Sequence, residues 1–153
     1  MVQAFVRPAR SNDEAAWLAM WWDFVEHSGP PEPCSPDSPP AVWRWIMDPG
    51  HAMGCLIAES DGQVVGFVLY LVHPYSWTLR PICYLLDIYV RPKHRGAGLG
   101  RALIDALAEQ GRAEGWLKIY WMTQADNTRA QALYDKVAER SSLVRYDLYL
   151  ASH

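Results

Sequence analysis

The sequence is poor in cysteine and has no excess of positive charge. Its 153 residues contain only three cysteines, Cys34, Cys55 and Cys83, and their odd number and wide spacing fit neither a disulfide framework nor a zinc site. They indicate reduced thiols in a cytoplasmic protein. The 14 lysines and arginines are outnumbered by 17 acidic residues, giving a net charge of -3. No general electrostatic footprint for nucleic acid is present, and we expect no nucleic-acid partner.

Long apolar runs and a targeting pattern are also missing. No run approaches the roughly 18 residues that span a bilayer, and the N-terminal stretch lacks the basic flank and apolar core of a signal peptide. We therefore expect no membrane partner. What is present is a composition that is 50% hydrophobic and 20% charged, typical of a globular chain. At this length we expect one domain over residues 1–153.

The period of the apolar residues predicts an alternation of strands and helices. The order is strand, helix, helix, three strands, helix, strand, helix, strand. The predicted strands cover residues 4–7, 52–60, 63–74, 81–90, 116–123 and 143–150, and the predicted helices cover 12–27, 41–48, 99–115 and 126–139. A proline-rich loop, residues 28–40, separates the first two helices, and Asp61-Gly62 predicts a hairpin turn.

The stretch RPKHRGAGLGRALIDAL places a glycine-rich turn between a strand and a helix. Backbone amides at such a turn can converge on an anion, and Arg95 and Arg101 can add contacts to phosphate oxygens. The glycines alone are equally consistent with a tight turn. The dinucleotide pattern Gly-x-Gly-x-x-Gly is not met, because Gly100 comes one residue early, and a P-loop would need a lysine where Arg101 stands.

The spacing Arg95-x-x-Gly98-x-Gly100 resembles the pyrophosphate loop of the GCN5-related N-acetyltransferase family, and the resemblance extends through YWMTQADNTRAQALYDKVAE. It implies an α/β (α+β) fold with a mixed, mostly antiparallel central sheet, splayed between the fourth and fifth strands and flanked by about four helices. It also implies an enzyme that moves the acetyl group of acetyl-CoA to a primary amine of a small molecule or peptide, with no metal.

The resemblance assigns most of the donor site to two segments. Main-chain groups of the fourth strand would hold the pantetheine arm, and the loop would hold the pyrophosphate. The residues so implied are Ile88, Tyr89, Val90, Arg95, Gly96, Ala97, Gly98, Leu99, Gly100 and Arg101. Asn127 matches a cofactor-contacting position, with a helix N-cap as the alternative role. Tyr134 matches the tyrosine that protonates the departing thiolate in many members.

The base is less well defined by the resemblance. Relatives often carry adjacent acids where this chain has Leu86-Asp87, so Asp87 is the candidate base or amine-orienting carboxylate, with a structural salt bridge as the alternative. Alternation along the strand predicts Leu86 on the opposite face. Tyr84, His73 and Tyr75 are weaker candidates for a water relay. The missing second acid keeps open a non-catalytic module that binds acetyl-CoA as a sensor.

Two further expectations concern the acceptor and assembly. Trp21, Trp22, Trp43 and Trp45 lie near acidic residues in the N-terminal third, so a cation pocket of rings and carboxylates competes with ordinary core packing. The apolar segment at residues 143–150 could pair across an interface if it were left at a sheet edge, and family members commonly dimerise. We therefore expect a homodimer.

Overall fold

The computed structural model describes residues 4–28 and 32–151, so residues 29–31 of the predicted proline-rich loop lie outside it. Five strands and four α-helices follow in the predicted order as far as the last helix. They are β1 Ala4–Pro8, α1 Glu14–Ser28, α2 Ser38–Met47, β2 Met53–Ser60, β3 Gln63–His73, β4 Ile82–Val90, α3 Leu99–Glu114, β5 Ile119–Tyr120 and α4 Thr128–Val137, with short 3-10 turns at Ser11–Asp13 and Pro92–His94. None of the described helices has the length and apolar character to cross a membrane.

The sheet has the order β1-β2-β3-β4-β5, with antiparallel pairing up to β4 and a parallel β4–β5 pair. The predicted hairpin is confirmed: Asp61 and Gly62 both adopt positive φ, 50° and 77°, as a two-residue turn between twisted strands requires. The mixed, mostly antiparallel sheet is therefore also confirmed.

Helices cover both faces of the sheet. On one face α3 packs Leu103 and Leu107 against β3 and β4, and on the other α1 and α2 pack Trp17 and Trp43 against Phe67. We call these the α3 face and the α1–α2 face. Each strand buries alternate residues on each face, which explains the near-continuous apolar runs of β2 to β4.

A buried ion network ties the N-terminus to this sheet. The Arg7 guanidinium lies 2.7 Å from Asp13 and 2.8 Å from Glu59, and Asp13 also accepts a hydrogen bond from the Arg10 amide at 2.7 Å. The hydrogen bond from Arg7 outweighs burial and lowers the pKa of Asp13. The carboxylate is thereby held ionised at the start of α1, where the helix dipole also favours it.

A bulge interrupts the β3–β4 ladder. Leu69 pairs with Asp87 but its neighbour Tyr70 pairs with Leu85, so Leu86 is an extra residue on β4. Leu85 packs on the α3 face, whereas Leu86 packs on the α1–α2 face. The bulge therefore shifts the side-chain alternation of β4 in its middle.

The C-terminal part of the chain departs from the prediction. The strand expected over 116–123 pairs only at Ile119–Tyr120, and the strand expected over 143–150 is wrong, because that segment forms no strand. Within the described residues it has no neighbouring strand to bond to, and six large side chains remain exposed: Leu143, Val144, Tyr146, Leu148, Tyr149 and Leu150.

Candidate active site

A cleft opens where β4 and β5 stop pairing. Their parallel ladder consists of Cys83 with Ile119 and Tyr84 with Tyr120. Beyond Tyr84, β4 continues to Val90 bonded to β3, but its other edge meets no strand in the described part of the chain. The backbone groups on that edge, at the predicted pantetheine positions Ile88 to Val90, are therefore available to a ligand, apart from the Val90 carbonyl, which accepts a hydrogen bond from Arg95 Nε.

The glycine-rich loop stands at the open end of this cleft. Gly96 and Gly98 adopt φ of 84° and 80°, which favours glycine, and a Cβ built at either would meet no atom within 4 Å. The first helical hydrogen bond of α3 runs from the Ala102 amide to the Gly98 carbonyl. The amides of Leu99, Gly100 and Arg101 precede that bond and have no helical acceptor. An open space bordered by amides without a helical acceptor fits a pyrophosphate group.

The two predicted arginines flank the loop but contact protein groups. Arg95 donates from Nε to the Val90 carbonyl at 2.8 Å and lies over the Tyr89 ring at 5.6 Å. Arg101 forms an exposed ion pair with Asp105 at 3.2 Å. Such exposed pairs are weak, so Arg101 can exchange Asp105 for a phosphate. Ala97 is exposed at the middle of the loop, while the Leu99 side chain anchors the helix start in the core.

Helix α4 brings two predicted residues to the same region. The Leu133 side chain lies 3.4 Å from where a Cβ on Gly100 would stand, an ordinary van der Waals distance, so α4 packs beside the start of α3. Asn127 caps α4 by accepting the Ala130 amide at 3.2 Å, which is its alternative role. The Tyr134 ring packs edge-on against Trp121 with centroids 5.4 Å apart. Burial raises the pKa of Tyr134, so its hydroxyl keeps a proton to donate.

Asp87 lies beside the bulge and faces the α1–α2 side. Its cross-strand partner Leu69 packs there, whereas the next residue, Ile88, packs on the α3 face. The expectation that Leu86 faces away from Asp87 is wrong, because the bulge puts both on one face. Burial raises the pKa of Asp87 to about 6, and no salt bridge to it is found among the described residues. The alternative of a structural salt bridge is thus unsupported.

The sequence reasoning missed Tyr120. Its ring stacks on Tyr84 with centroids 4.9 Å apart and planes at 12°, and its hydroxyl lies 2.8 Å from His73 Nε2. Tyr75 stacks instead on Trp77. The sequence did contain a signal for it. Tyr120 lies between apolar Ile119 and Trp121, so its hydroxyl is a polar group in a strand predicted to be apolar on both faces.

The four N-terminal tryptophans do not form one pocket. Trp43 is buried and Trp21 stacks on the buried Trp17, so both belong to the core of the α1–α2 face. Trp22 and Trp45 are exposed, and Trp45 stacks on His51. Two of the four tryptophans therefore belong to core packing, and the prediction of one shared cation pocket is wrong.

The geometry described above is that of a known family. The sequence profile of the acetyltransferase (GNAT) family matches residues 16–138. The chain belongs to the GNAT family. The D-amino-acid N-acetyltransferase of Saccharomyces cerevisiae is 32% identical to it over 143 residues, covering 92% of this chain and 88% of that protein. The Bos taurus thialysine N-epsilon-acetyltransferase is 38% identical over 88 residues, covering 52% and 51%.

Solved structures have the same fold. A ribosomal-protein-alanine N-acetyltransferase from Brucella melitensis biovar Abortus 2308 superimposes with a TM-score of 0.80 at 22% identity, covering 96% of this chain and 99% of that one. An aminoglycoside N-acetyltransferase in complex with CoA gives a TM-score of 0.82 at 21% identity, covering 99% and 97%. This GNAT protein is an N-acetyltransferase that acts on amines, and acetyl-CoA is its acetyl donor.

Proposed function

We propose that acetyl-CoA binds with its pyrophosphate on residues Arg95–Arg101 and its pantetheine arm along Ile88–Val90, so that the thioester reaches the start of the β4–β5 cleft. One observation supports this proposal: β4–β5 pairing ends at Tyr84 and Tyr120, and the edge of β4 that is left without a partner strand leads to the loop whose amides have no helical acceptor. We assign Asn127 to the donor through its NH2 group, because the helix cap uses its Oδ1.

In this arrangement the acceptor amine attacks the thioester carbon directly. The new C–N bond forms, the C–S bond breaks, and the electron pair leaves on sulfur. Tyr134 gives its hydroxyl proton to the thiolate, since its raised pKa keeps that proton in place. Asp87 engages the incoming ammonium, either as the base that takes its proton or as the carboxylate that orients it. No covalent acetyl-enzyme is needed.

The acceptor is a primary amine, and small amines are tested first because aromatic side chains pack on the acceptor side. Leu86 and Asp87 face α1 and α2 on that side, where Trp17, Trp21 and Phe67 fill the adjoining space. The names of the relatives suggest α-amines of amino acids, ε-amines of lysine-like compounds and aminoglycosides as test acceptors.

The test is thiol release from acetyl-CoA over a panel of D- and L-amino acids, lysine analogues, aminoglycosides and N-terminal peptides. Calorimetry of CoA binding is measured in parallel. Turnover with at least one amine is expected. Tight CoA binding with no turnover of any amine would instead support the sensor alternative, and failure of both would remove the donor-site assignment.

We also propose a homodimer built on the C-terminal segment, residues 143–150. Val144, Leu148 and Leu150 are exposed to 76%, 85% and 91%, which is unusual for apolar side chains within one short segment. Within the described residues β5 pairs only with β4, so its other edge can accept an added strand. Leu148→Asp with Leu150→Asp is expected to convert a dimer into a monomer by light scattering; an unchanged mass would exclude this segment as the interface.

We also propose that the enzyme is cytoplasmic and consists of one domain; the environment of the cysteines supports the first of these two proposals. Cys34, Cys55 and Cys83 are free thiols, and burial raises the pKa of Cys83 to about 12, so it stays reduced and unreactive. Thiol titration under native and denaturing conditions checks this assignment: one accessible thiol is expected natively and three after unfolding.

A further inference from the structure

Tyr84, Tyr120 and His73 form a row of polar side chains below the cleft, among residues that are otherwise apolar. We call it the polar row. Cys83 and Leu85 pack on the α3 face, as do Ile119 and Trp121, so the residues between them, Tyr84 and Tyr120, face the α1–α2 side. This is the side that Asp87 faces. The two tyrosines are also the last paired residues before the cleft, so they form its floor.

The hydrogen bonds of His73 define its proton positions. Its Nδ1 lies 2.8 Å from the Pro74 carbonyl oxygen, which can only accept, so Nδ1 carries a hydrogen. In the neutral ring Nε2 is then an acceptor, and the Tyr120 hydroxyl 2.8 Å away donates to it. The lone pairs of the Tyr120 oxygen remain directed away from His73. Tyr120 is thus arranged to accept a proton as it gives one up.

The row leads from a half-buried position to solvent. The Tyr120–His73 bond is half-buried, whereas the bond on the Pro74 side of the ring is exposed. Burial raises the pKa of the Tyr120 hydroxyl, so the resting state is the protonated phenol. The charged or titratable groups that act on the tyrosine pair are Asp87 and Cys83 of β4 and Arg145 and Asp147 of the C-terminal segment. Among these groups only Arg145, which lies outside the strands, carries a positive charge.

We propose that Tyr120 and His73 form the proton relay that deprotonates the acceptor ammonium, while Asp87 orients it. The ammonium proton moves to the Tyr120 oxygen as the tyrosine proton moves to His73 Nε2. Tyr120 is a phenol again after this exchange, and His73 is an imidazolium with a proton on each nitrogen. Release of the solvent-side Nδ1 proton to bulk water neutralises the ring, and the Nε2 proton then exchanges through solvent to Nδ1 before Tyr120 can donate again. This assignment rests on the proposed acetyl transfer, and it gives deprotonation and orientation to different groups.

The kinetic test uses Tyr120→Phe, which keeps the ring stacked on Tyr84 but removes the hydroxyl. With the best N-terminal peptide of the panel, whose α-amino pKa is about 8, we expect kcat to fall about 10- to 100-fold at pH about 6.5, where that amine is charged. At pH about 9 the amine is mostly neutral, and the loss should shrink to less than about threefold. An equal loss at both pH values would overturn the relay, because a structural defect is indifferent to the charge of the amine.

Tyr70→Phe is the matched control. Tyr70 is a buried strand tyrosine whose hydroxyl accepts from Gln110 at 2.9 Å, but it packs on the α3 face. It is expected to show wild-type kcat at both pH values and unchanged CoA affinity by calorimetry. His73→Gln should reproduce the pH-dependent loss of Tyr120→Phe, and a wild-type profile for His73→Gln would contradict the proposal.

A spectroscopic test does not depend on turnover. In protein labelled with nitrogen-15 histidine, long-range correlation spectra should show His73 with its proton on Nδ1, and Tyr120→Phe should shift its Nε2 resonance. Finding the proton on Nε2 overturns the relay even in an active enzyme. A proton on Nδ1 in a protein that acetylates no amine would support the hydrogen-bond geometry but would reject the proposed function.

Discussion

Asp87→Asn tests the central carboxylate through stability as well as activity. Burial raises the pKa of Asp87 from an ordinary 3.8 to about 6. At about 1.4 kcal/mol for each pKa unit, the ionised carboxylate costs the folded state about 3 kcal/mol. Asn is nearly isosteric and cannot ionise, so the variant should be more stable than wild type by about 2–3 kcal/mol at pH 7. Acetylation should be lost at the same time.

The sign of the pH dependence makes the test specific. The raised pKa means that between about pH 4 and 6 the folded protein binds a proton that the unfolded chain releases, so wild-type stability falls as pH rises through this range. The advantage of Asp87→Asn should therefore be near zero at about pH 4 and reach its plateau above about pH 6.

Urea unfolding from pH 4 to 8 measures the difference, with Asp105→Asn as control because that exposed pair with Arg101 contributes less than about 1 kcal/mol. A destabilised Asp87→Asn at pH 7 would refute the reasoning, since it would mean that a cation pairs with the carboxylate.

Three other changes test separate parts of the molecule. Gly98→Val should abolish CoA binding by calorimetry. Its control is Gly115→Val, at the other end of α3 with a similar φ of 78°, which should cause the same backbone strain of about 1–2 kcal/mol but leave CoA binding intact; equal CoA affinity of the two variants would reject the cradle. Tyr134→Phe should lower kcat about tenfold or more with unchanged CoA affinity, and an unchanged kcat would remove it from the reaction. Asp13→Asn should cost about 3 kcal/mol at pH 7 by breaking a buried pair with Arg7, and the loss should fade on acidification as wild-type Asp13 protonates, which pH-dependent denaturation would show.

Local signals in the sequence predicted most of the fold. Asp61-Gly62 requires a tight turn, Gly115 ends α3 with φ of 78°, and Asn127 caps α4, and each of these depends on residues that are close in sequence. The prediction failed at residues 116–123 and 143–150. Both segments have strand-like composition, but a strand exists only where a neighbour supplies hydrogen bonds, and composition does not identify that neighbour.

The sequence likewise predicted only part of the candidate site. The loop from Arg95 to Arg101 is contiguous, so its spacing was visible. The pairing of Tyr120 with His73 joins residues 47 positions apart, and only the register of three strands brings them together. The position of Asp87 depended on a bulge, which the alternation rule cannot anticipate.

The bulge connects the two main features of the site. An unbroken β4 would send Asp87 to the α3 face, toward Leu103 and Leu107, and would leave the cleft without a carboxylate on its acceptor side. The extra residue Leu86 instead turns Asp87 toward the acceptor, at an electrostatic cost of about 3 kcal/mol that no neighbouring cation offsets among the described residues. A carboxylate kept at that cost is suited to an amine that arrives with its own positive charge. Binding an ammonium removes the cost, so the same burial that destabilises the empty site strengthens its attraction for the acceptor.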